Sequence, residues 1–299
     1  MRCGCKNTDK YNSENILNKE YRLFLIAIVL QNRQNICYFC SMKLFTRKSG
    51  SGRPIIILHG LFGSSDNWQT FAKSLSGFGY HVITADLRNH GQSPHDDGFN
   101  YKLLAEDVEE LIKAENLNKP IIVGHSMGGK TAMQLGFTKP ELISGLIVVD
   151  IAPRFYPVHH REILDALLSV NTDSLKSRGD AESALRQSIQ EEDVIQFLMK
   201  NLYRKEKDQF DWRFNLAAIN AQIENVGEEL KFNGLFPLPT LFIKGERSAY
   251  VSYEDEKAIF EQFADVEIQT APGAGHWVHA EAAEWTLETM LKWITDKKL

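Results

Sequence analysis

Beyond residue 40 the chain of 299 residues has no cysteine. All four cysteines, Cys3, Cys5, Cys37 and Cys40, precede Ser41, so the body of the protein has neither a disulfide framework nor a thiolate metal site. Long apolar runs are missing too. Leu23–Leu30 (LFLIAIVL) has eight residues against the ~20 that cross a bilayer. It also lacks a signal peptide's flanks, since acidic residues precede it and no small-residue cleavage pattern follows closely. There is no basic excess: 34 Lys and Arg stand against 39 Asp and Glu, a net charge of −5 that argues against a nucleic-acid partner. H-E-x-x-H, EF-hand and G-x-G-x-x-G patterns are absent, so no metal or other cofactor is implied. Internal repeats and low-complexity tracts are absent as well, which excludes solenoids and fibrous proteins. What remains is a globular chain of one or two domains, with no stable membrane insertion, a small-molecule partner and an expected cytoplasmic location. Its composition does not bear on oligomeric state.

The first 41 residues differ from the rest. They carry six basic and three acidic residues, and none of the nine prolines. The paired spacing Cys3-x-Cys5 and Cys37-x-x-Cys40 is suggestive of zinc, but the long gap offers no compact scaffold. Residues 1–41 are therefore expected to stand outside the fold, with Met42 as the native start. The intact mass of natively expressed protein checks this.

After Met42 the chain alternates between two kinds of segment. Pro54–Leu58, Tyr80–Ala85, Pro120–Val123 and Leu146–Val149 are short β-rich runs, the pattern of strands buried on both faces. Helical stretches lie between them, around Asp66–Ser76, at Tyr101–Asn116 and at Lys130–Phe137. Thr240–Lys244 and Val266–Gln269 are further strands, and His279–Ile294 is a closing helix. This predicts an α/β fold with a mostly parallel sheet, whose ligands bind beyond the carboxyl ends of the strands. From Pro153 to about Leu235 the strand signal vanishes, leaving helical stretches at Arg161–Leu168, Asp180–Ile189, Val194–Leu202 and Trp212–Ile219. A single crossover helix needs far fewer residues, so 153–235 is expected to be a helical cap, and 42–152 with 236–299 the core.

One segment matches two motifs. Gly124-His125-Ser126-Met127-Gly128-Gly129-Lys130-Thr131 contains both the G-x-S-x-G nucleophile elbow and the G-x-x-x-x-G-K-[ST] phosphate loop. Both expect a strand before and a helix after. Leu146–Asp150 even resembles the strand whose Asp holds magnesium in nucleotide hydrolases. The rest of the chain separates the two readings. An elbow enzyme needs an oxyanion donor from an earlier strand exit, where His59-Gly60-Leu61-Phe62-Gly63 sits, and a late histidine, where Gly273-Ala274-Gly275-His276 sits. The order Ser126, Asp150, His276 is that of the elbow fold. A phosphate loop requires none of this and usually opens its domain.

At this point the chain resembles the α/β-hydrolase superfamily, and more narrowly its small esterases of the bacterial YbfF type with their eukaryotic α/β-hydrolase-domain relatives. The matching segments are LHGLFGSSDNW (Leu58–Trp68), DLRNHGQSPH (Asp86–His95), VGHSMGGK (Val123–Lys130), VVDIAPR (Val148–Arg154) with Tyr156, and GAGHWVHAE (Gly273–Glu281). Most capped members place their acid in the loop after the strand read here as Thr240–Lys244. This chain has Ser248 where that pattern offers Asp. Asp150, at a neighbouring strand tip, is therefore expected to serve, with Glu246 and Asp255 as alternatives.

The expected roles follow. Ser126 is the nucleophile, since a serine hydroxyl needs an adjacent base and the elbow exposes it. His276 is the base and then the acid, with His279 its main competitor; His125 is expected to point away and His59 to be structural. Leu61 and Met127 supply backbone N–H groups to the oxyanion, with Phe62 the alternative to Leu61. Asp86-x-Arg88-x-x-Gly91-x-Ser93 braces loops. Trp68, Phe62, Phe155, Tyr156, Trp212, Phe214 and Trp277 are candidates for an apolar substrate pocket. The resemblance implies a serine esterase acting on short or medium acyl esters, or on acyl thioesters. A perhydrolase, a carbon–carbon hydrolase or a non-catalytic receptor would share the same motifs.

Overall fold

In the computed structural model, which describes residues 42–158, 160–206 and 209–299, the apolar runs form the centre of one seven-stranded sheet. The strands are β1 (Thr46–Ser49), β2 (Arg53–Leu58), β3 (Tyr80–Ala85), β4 (Ile121–His125), β5 (Gly145–Val149), β8 (Thr240–Gly245) and β9 (Val266–Ala271), in the order β1-β3-β2-β4-β5-β8-β9. All neighbours are parallel except β1, which pairs antiparallel with β3 at the edge. The expectations for residues 1–41, including their cysteine pairs, lie outside the described residues.

The unbroken apolar runs are explained by two cores, one on each face. Ile56, Leu58, Ile122, Leu146 and Val148 enter one, and the alternate residues Ile55, Ile57, Ile121, Val123, Ile147 and Val149 enter the other. The first core is closed by α2 (Tyr101–Ala114) and α3 (Met127–Thr138). The second is closed by α1 (Gln69–Ser76) and α10 (Ala283–Asp296). Each such branched side chain removed from water contributes ~1.5–3 kcal/mol, which makes a polar residue in these strands costly.

Three differences from the sequence reading have physical causes. The edge strand β1 is Thr-Arg-Lys-Ser and carries no apolar run, because an edge strand has one partner and a wet face. The closing helix is two helices, α9 (Val278–Glu281) and α10. The stretch between β5 and β8 is not wholly helical. It contains α4 (Arg161–Ser169), α5 (Arg178–Leu185), α6 (Glu192–Met199) and α7 (Leu216–Ala221), but also an antiparallel pair, β6 (Leu202–Glu206) and β7 (Gln209–Trp212). Leu202 and Trp212 therefore belong to strands rather than helices. The charged, largely exposed sequence of β6 hid it. This inserted segment adds no strand to the main sheet. Among the described residues no helix is long and apolar enough to cross a membrane. Between β8 and β9 runs α8 (Tyr253–Gln262).

Candidate active site

Ser126 occupies the turn between β4 and α3 at φ 51° and ψ −118°, a left-handed conformation that costs a non-glycine residue about 1–3 kcal/mol. Small neighbours make this turn possible. A Cβ on Gly124 would overlap the Gly128 carbonyl, and one on Gly128 would overlap the carbonyl oxygens of Leu58 and His59. Helix α3 can thus begin directly against the strand tips. The Ser126 N–H donates to the Val149 carbonyl at 3.0 Å, and its carbonyl accepts from the Lys130 N–H at 3.1 Å. The side chain makes no capping bond to its own helix. Met127, the first residue of α3, has an N–H without an intrahelical acceptor, at the positive end of the helix dipole.

Asp150 follows β5, fully buried and also left-handed at φ 51°. Its Oδ1 accepts from the Gly245 N–H at 2.9 Å. Its Oδ2 lies 2.7 Å from His276 Nδ1 and also accepts from the Ser248 hydroxyl. The residue that stands where an acid is usual thus donates to the acid on the next strand. The His276 ring stacks on Tyr250 with centroids 3.9 Å apart and planes at 16°. Burial, with the charge of Asp150, pushes the Tyr250 phenol up to about 12, so it stays neutral. The two alternative acids are engaged elsewhere. Glu246 accepts from the Gly273 N–H at 2.7 Å, and Asp255 caps α8 and pairs with Arg154 Nε at 2.8 Å.

The other histidines separate cleanly. His125 does not point away as expected: it lines the cavity, its ring lies 4.6 Å from that of His276, and its Nε2 donates to the His276 carbonyl at 2.9 Å. Burial and the neighbouring imidazoles hold its pKa well below the usual range, so it is neutral and acts as a support. His279 stacks on Trp68 with centroids 4.0 Å apart, and burial drops its pKa to about 3. His59 is structural: it bridges the Gly60 carbonyl at 2.8 Å and the Leu87 N–H at 2.9 Å.

Gly60 to Gly63 forms a tight turn closed by a 3.0 Å bond from the Gly63 N–H to the Gly60 carbonyl. Phe62, its third residue, has φ 58°. The Phe62 N–H donates to His90 Nε2 at 3.2 Å, so this group is already occupied and Leu61 is left as the candidate oxyanion donor. The Asp86 motif braces the same region. Asp86 accepts from the N–H groups of Ser65 at 2.6 Å and Gln92 at 2.7 Å, and Arg88 makes a buried two-pronged bond to Asp107 at 2.6 Å.

Lys130 is incompatible with a phosphate loop. Its side chain is fully buried, and its Nζ donates to the carbonyls of Arg154 at 2.8 Å, Gly227 at 3.3 Å and Glu228. Burial lowers its pKa to about 7. The rings of Tyr156 and Tyr101 lie 4.9 and 5.6 Å from Nζ. The lysine ties α3 to the inserted segment.

Ser126 and His276 open into one cavity of about 260 Å³. Trp68, Phe62 and Trp277 line it as expected, together with Leu61. Other expected pocket residues do not. Phe155 is 55% exposed on the surface. Trp212 and Phe214 stack on each other, centroids 5.4 Å apart, in the buried core rather than on the cavity wall. Tyr156 lines a separate, narrower crevice that Ser126 also borders, where its hydroxyl donates to the Tyr250 carbonyl at 2.6 Å. The wall is completed by Ile163, Val194, Phe197 and Leu198 from α4 and α6, which the sequence reading missed. Their only signal was helical apolar periodicity, which does not say whether a face meets core or cavity.

A family model described as alpha/beta hydrolase fold matches residues 53–174. Esterase YbfF of Escherichia coli (strain K12) is 37% identical over 244 residues, covering 81% of this chain and 93% of the relative. The sn-1-specific diacylglycerol lipase ABHD11 of Danio rerio is 38% identical over 239 residues, covering 78% and 75%. Among solved structures, a marine microorganism esterase matches with a TM-score of 0.82 at 41% identity, over 85% of this chain and all of that one.

Proposed function

The chain belongs to the α/β-hydrolase family, and from that premise we propose that it is a serine esterase that forms an acyl-enzyme on Ser126. The observation that carries this reading is the 2.7 Å contact between the buried Asp150 and the partly exposed His276, which opens into the same apolar cavity as the elbow serine. Asp150 accepts a hydrogen bond from the His276 Nδ1–H, which keeps that proton on Nδ1 and leaves Nε2 bare to take the proton of Ser126. The serine oxygen attacks the ester carbonyl, and the N–H groups of Leu61 and Met127 receive the charge that develops on its oxygen. Collapse of the tetrahedral adduct expels the alcohol, protonated by His276. Water then attacks the acyl-enzyme with His276 again as base, releasing the acid and restoring the serine.

The apolar lining suits an uncharged acyl chain, and a cavity of about 260 Å³ suits short or medium lengths. Acyl thioesters carry the same electrophilic carbon and belong to the same class. The test is labelling by a fluorophosphonate together with hydrolysis of a series of p-nitrophenyl esters. The wild type should be labelled and should turn over the shorter esters, and Ser126→Ala should do neither. Labelling or full hydrolysis that survives Ser126→Ala would rule the reading out.

A further inference from the structure

The oxyanion turn is gripped from two sides, and one grip comes from the inserted segment. Phe62 holds a left-handed conformation that favours glycine, at the third position of a turn closed between Gly60 and Gly63. That conformation strains a non-glycine residue such as Phe62. Its N–H is fixed by His90 Nε2 at 3.2 Å, on the core side. Its carbonyl is fixed by Asn201 Nδ2 at 2.8 Å, and Asn201 lies in the inserted segment between α6 and β6. Asn201 is 3% exposed, and its backbone is anchored by bonds to Leu198 and from Arg213, both 2.9 Å. The same junction is reinforced by the Phe62 ring against Phe214, centroids 5.2 Å apart, and by the Asn215 N–H donating to the Asn89 carbonyl at 2.8 Å.

We propose that Asn201 is a positioning residue for the oxyanion hole: by clamping the Phe62 carbonyl it keeps the preceding Leu61 N–H aimed at the reacting carbonyl oxygen. The inserted segment thereby does more than wall the cavity, since it completes the electrostatic part of the site. The inference rests on the serine-esterase reading. It implies that loss of the clamp weakens stabilisation of the transition state and leaves substrate binding nearly untouched. Removing an oxyanion donor outright costs about 10²–10³ in turnover, so loosening one by losing its clamp should cost on the order of ten-fold.

The experiment compares wild type, Asn201→Ala and the milder Asn201→Ser on a p-nitrophenyl ester and on its thiono analogue. Sulfur is a poor hydrogen-bond acceptor on a longer bond, so a hole shaped for oxygen favours the oxygen ester. Both variants should lose kcat on the oxygen ester by about ten-fold with KM nearly constant, and lose much less on the thiono ester. The ratio of the two rates, which a purely structural residue would not move, should fall. Equal losses on both esters, a change confined to KM, or unchanged kinetics would overturn the proposal, as would failure of both variants to fold. Fluorophosphonate labelling of wild-type Ser126 is the internal control. An unlabelled wild type rejects the serine-esterase reading and the clamp with it, whereas a labelled wild type with an unmoved ratio rejects the clamp alone.

Discussion

Asp150→Asn is the substitution whose consequence can be worked furthest from the geometry. The carboxylate meets three donors: the Gly245 N–H at Oδ1, and the Ser248 hydroxyl and His276 Nδ1–H at Oδ2. An amide has one acceptor oxygen. Placed at the Oδ1 position, that oxygen keeps the rigid Gly245 N–H and turns the NH₂ toward His276. The imidazole must then present a bare Nδ1 and carry its proton on Nε2, where it cannot accept from Ser126. Flipped, the amide serves His276 but sets a donor against the buried Gly245 N–H, at about 1–3 kcal/mol for the unmet group. At about 2 kcal/mol only about one molecule in thirty holds the competent orientation. The rest of the loss comes from the missing negative charge beside the imidazolium. The two together reach the factor of about 10⁴ typical of triads, or about 5.5 kcal/mol. Asparagine tolerates the left-handed backbone at this position, so the fold should survive. The assay is kcat on a p-nitrophenyl ester, beside a thermal unfolding curve. The reasoning fails if Asp150→Asn keeps a tenth of its activity, or if Glu246→Gln or Asp255→Asn abolishes activity instead.

Two further outcomes are expected. Lys130→Met keeps the length of the side chain but strips partners from the carbonyls of Arg154, Gly227 and Glu228, so stability in urea should fall by roughly 2–4 kcal/mol; an unchanged midpoint would show that the lysine does not tie the segment down. Acid should destabilise the fold through its buried neutral histidines. Burial lowers His90 and His279 to about 3, below the ordinary 6.5, so the unfolded chain binds more protons between those values. The stability they contribute is present above about pH 6.5 and is lost as pH falls toward 3, by up to about 1.4 kcal/mol per unit for each. Urea midpoints at pH 7 and pH 5 measure this. His279→Gln should flatten the dependence, and equal midpoints in the wild type would contradict it.

How much of this was legible beforehand depends on whether the signal is local. Runs such as Pro54–Leu58 and Leu146–Val149 reveal strands buried on both faces because every residue in them must leave water. The elbow reveals itself because Gly124, Gly128 and Gly129 are needed wherever a helix starts against strand tips. The gap at Ser248 redirected attention to Asp150, and the geometry places Asp150 beside His276 while Glu246 and Asp255 are held elsewhere. Polar strands escaped notice because edge and surface pairing needs no apolar run, as in Thr46–Ser49 and Leu202–Glu206.

The sequence by itself therefore determined the fold class and the order Ser126, Asp150, His276, while the burial of Lys130 against backbone carbonyls is what counts against a phosphate loop. The fold class and that order depend on short motifs whose backbone demands are local. Tertiary structure alone decided which aromatic residues face the cavity and which face the core. Trp212 and Phe197 carry similar apolar signals, and only packing turns one inward and leaves the other on the cavity wall. It alone also decided that Ser248 serves Asp150 and that Asn201 reaches Phe62, 139 positions away in the chain. Such partners are set by how separate elements dock, and no spacing in the sequence encodes them.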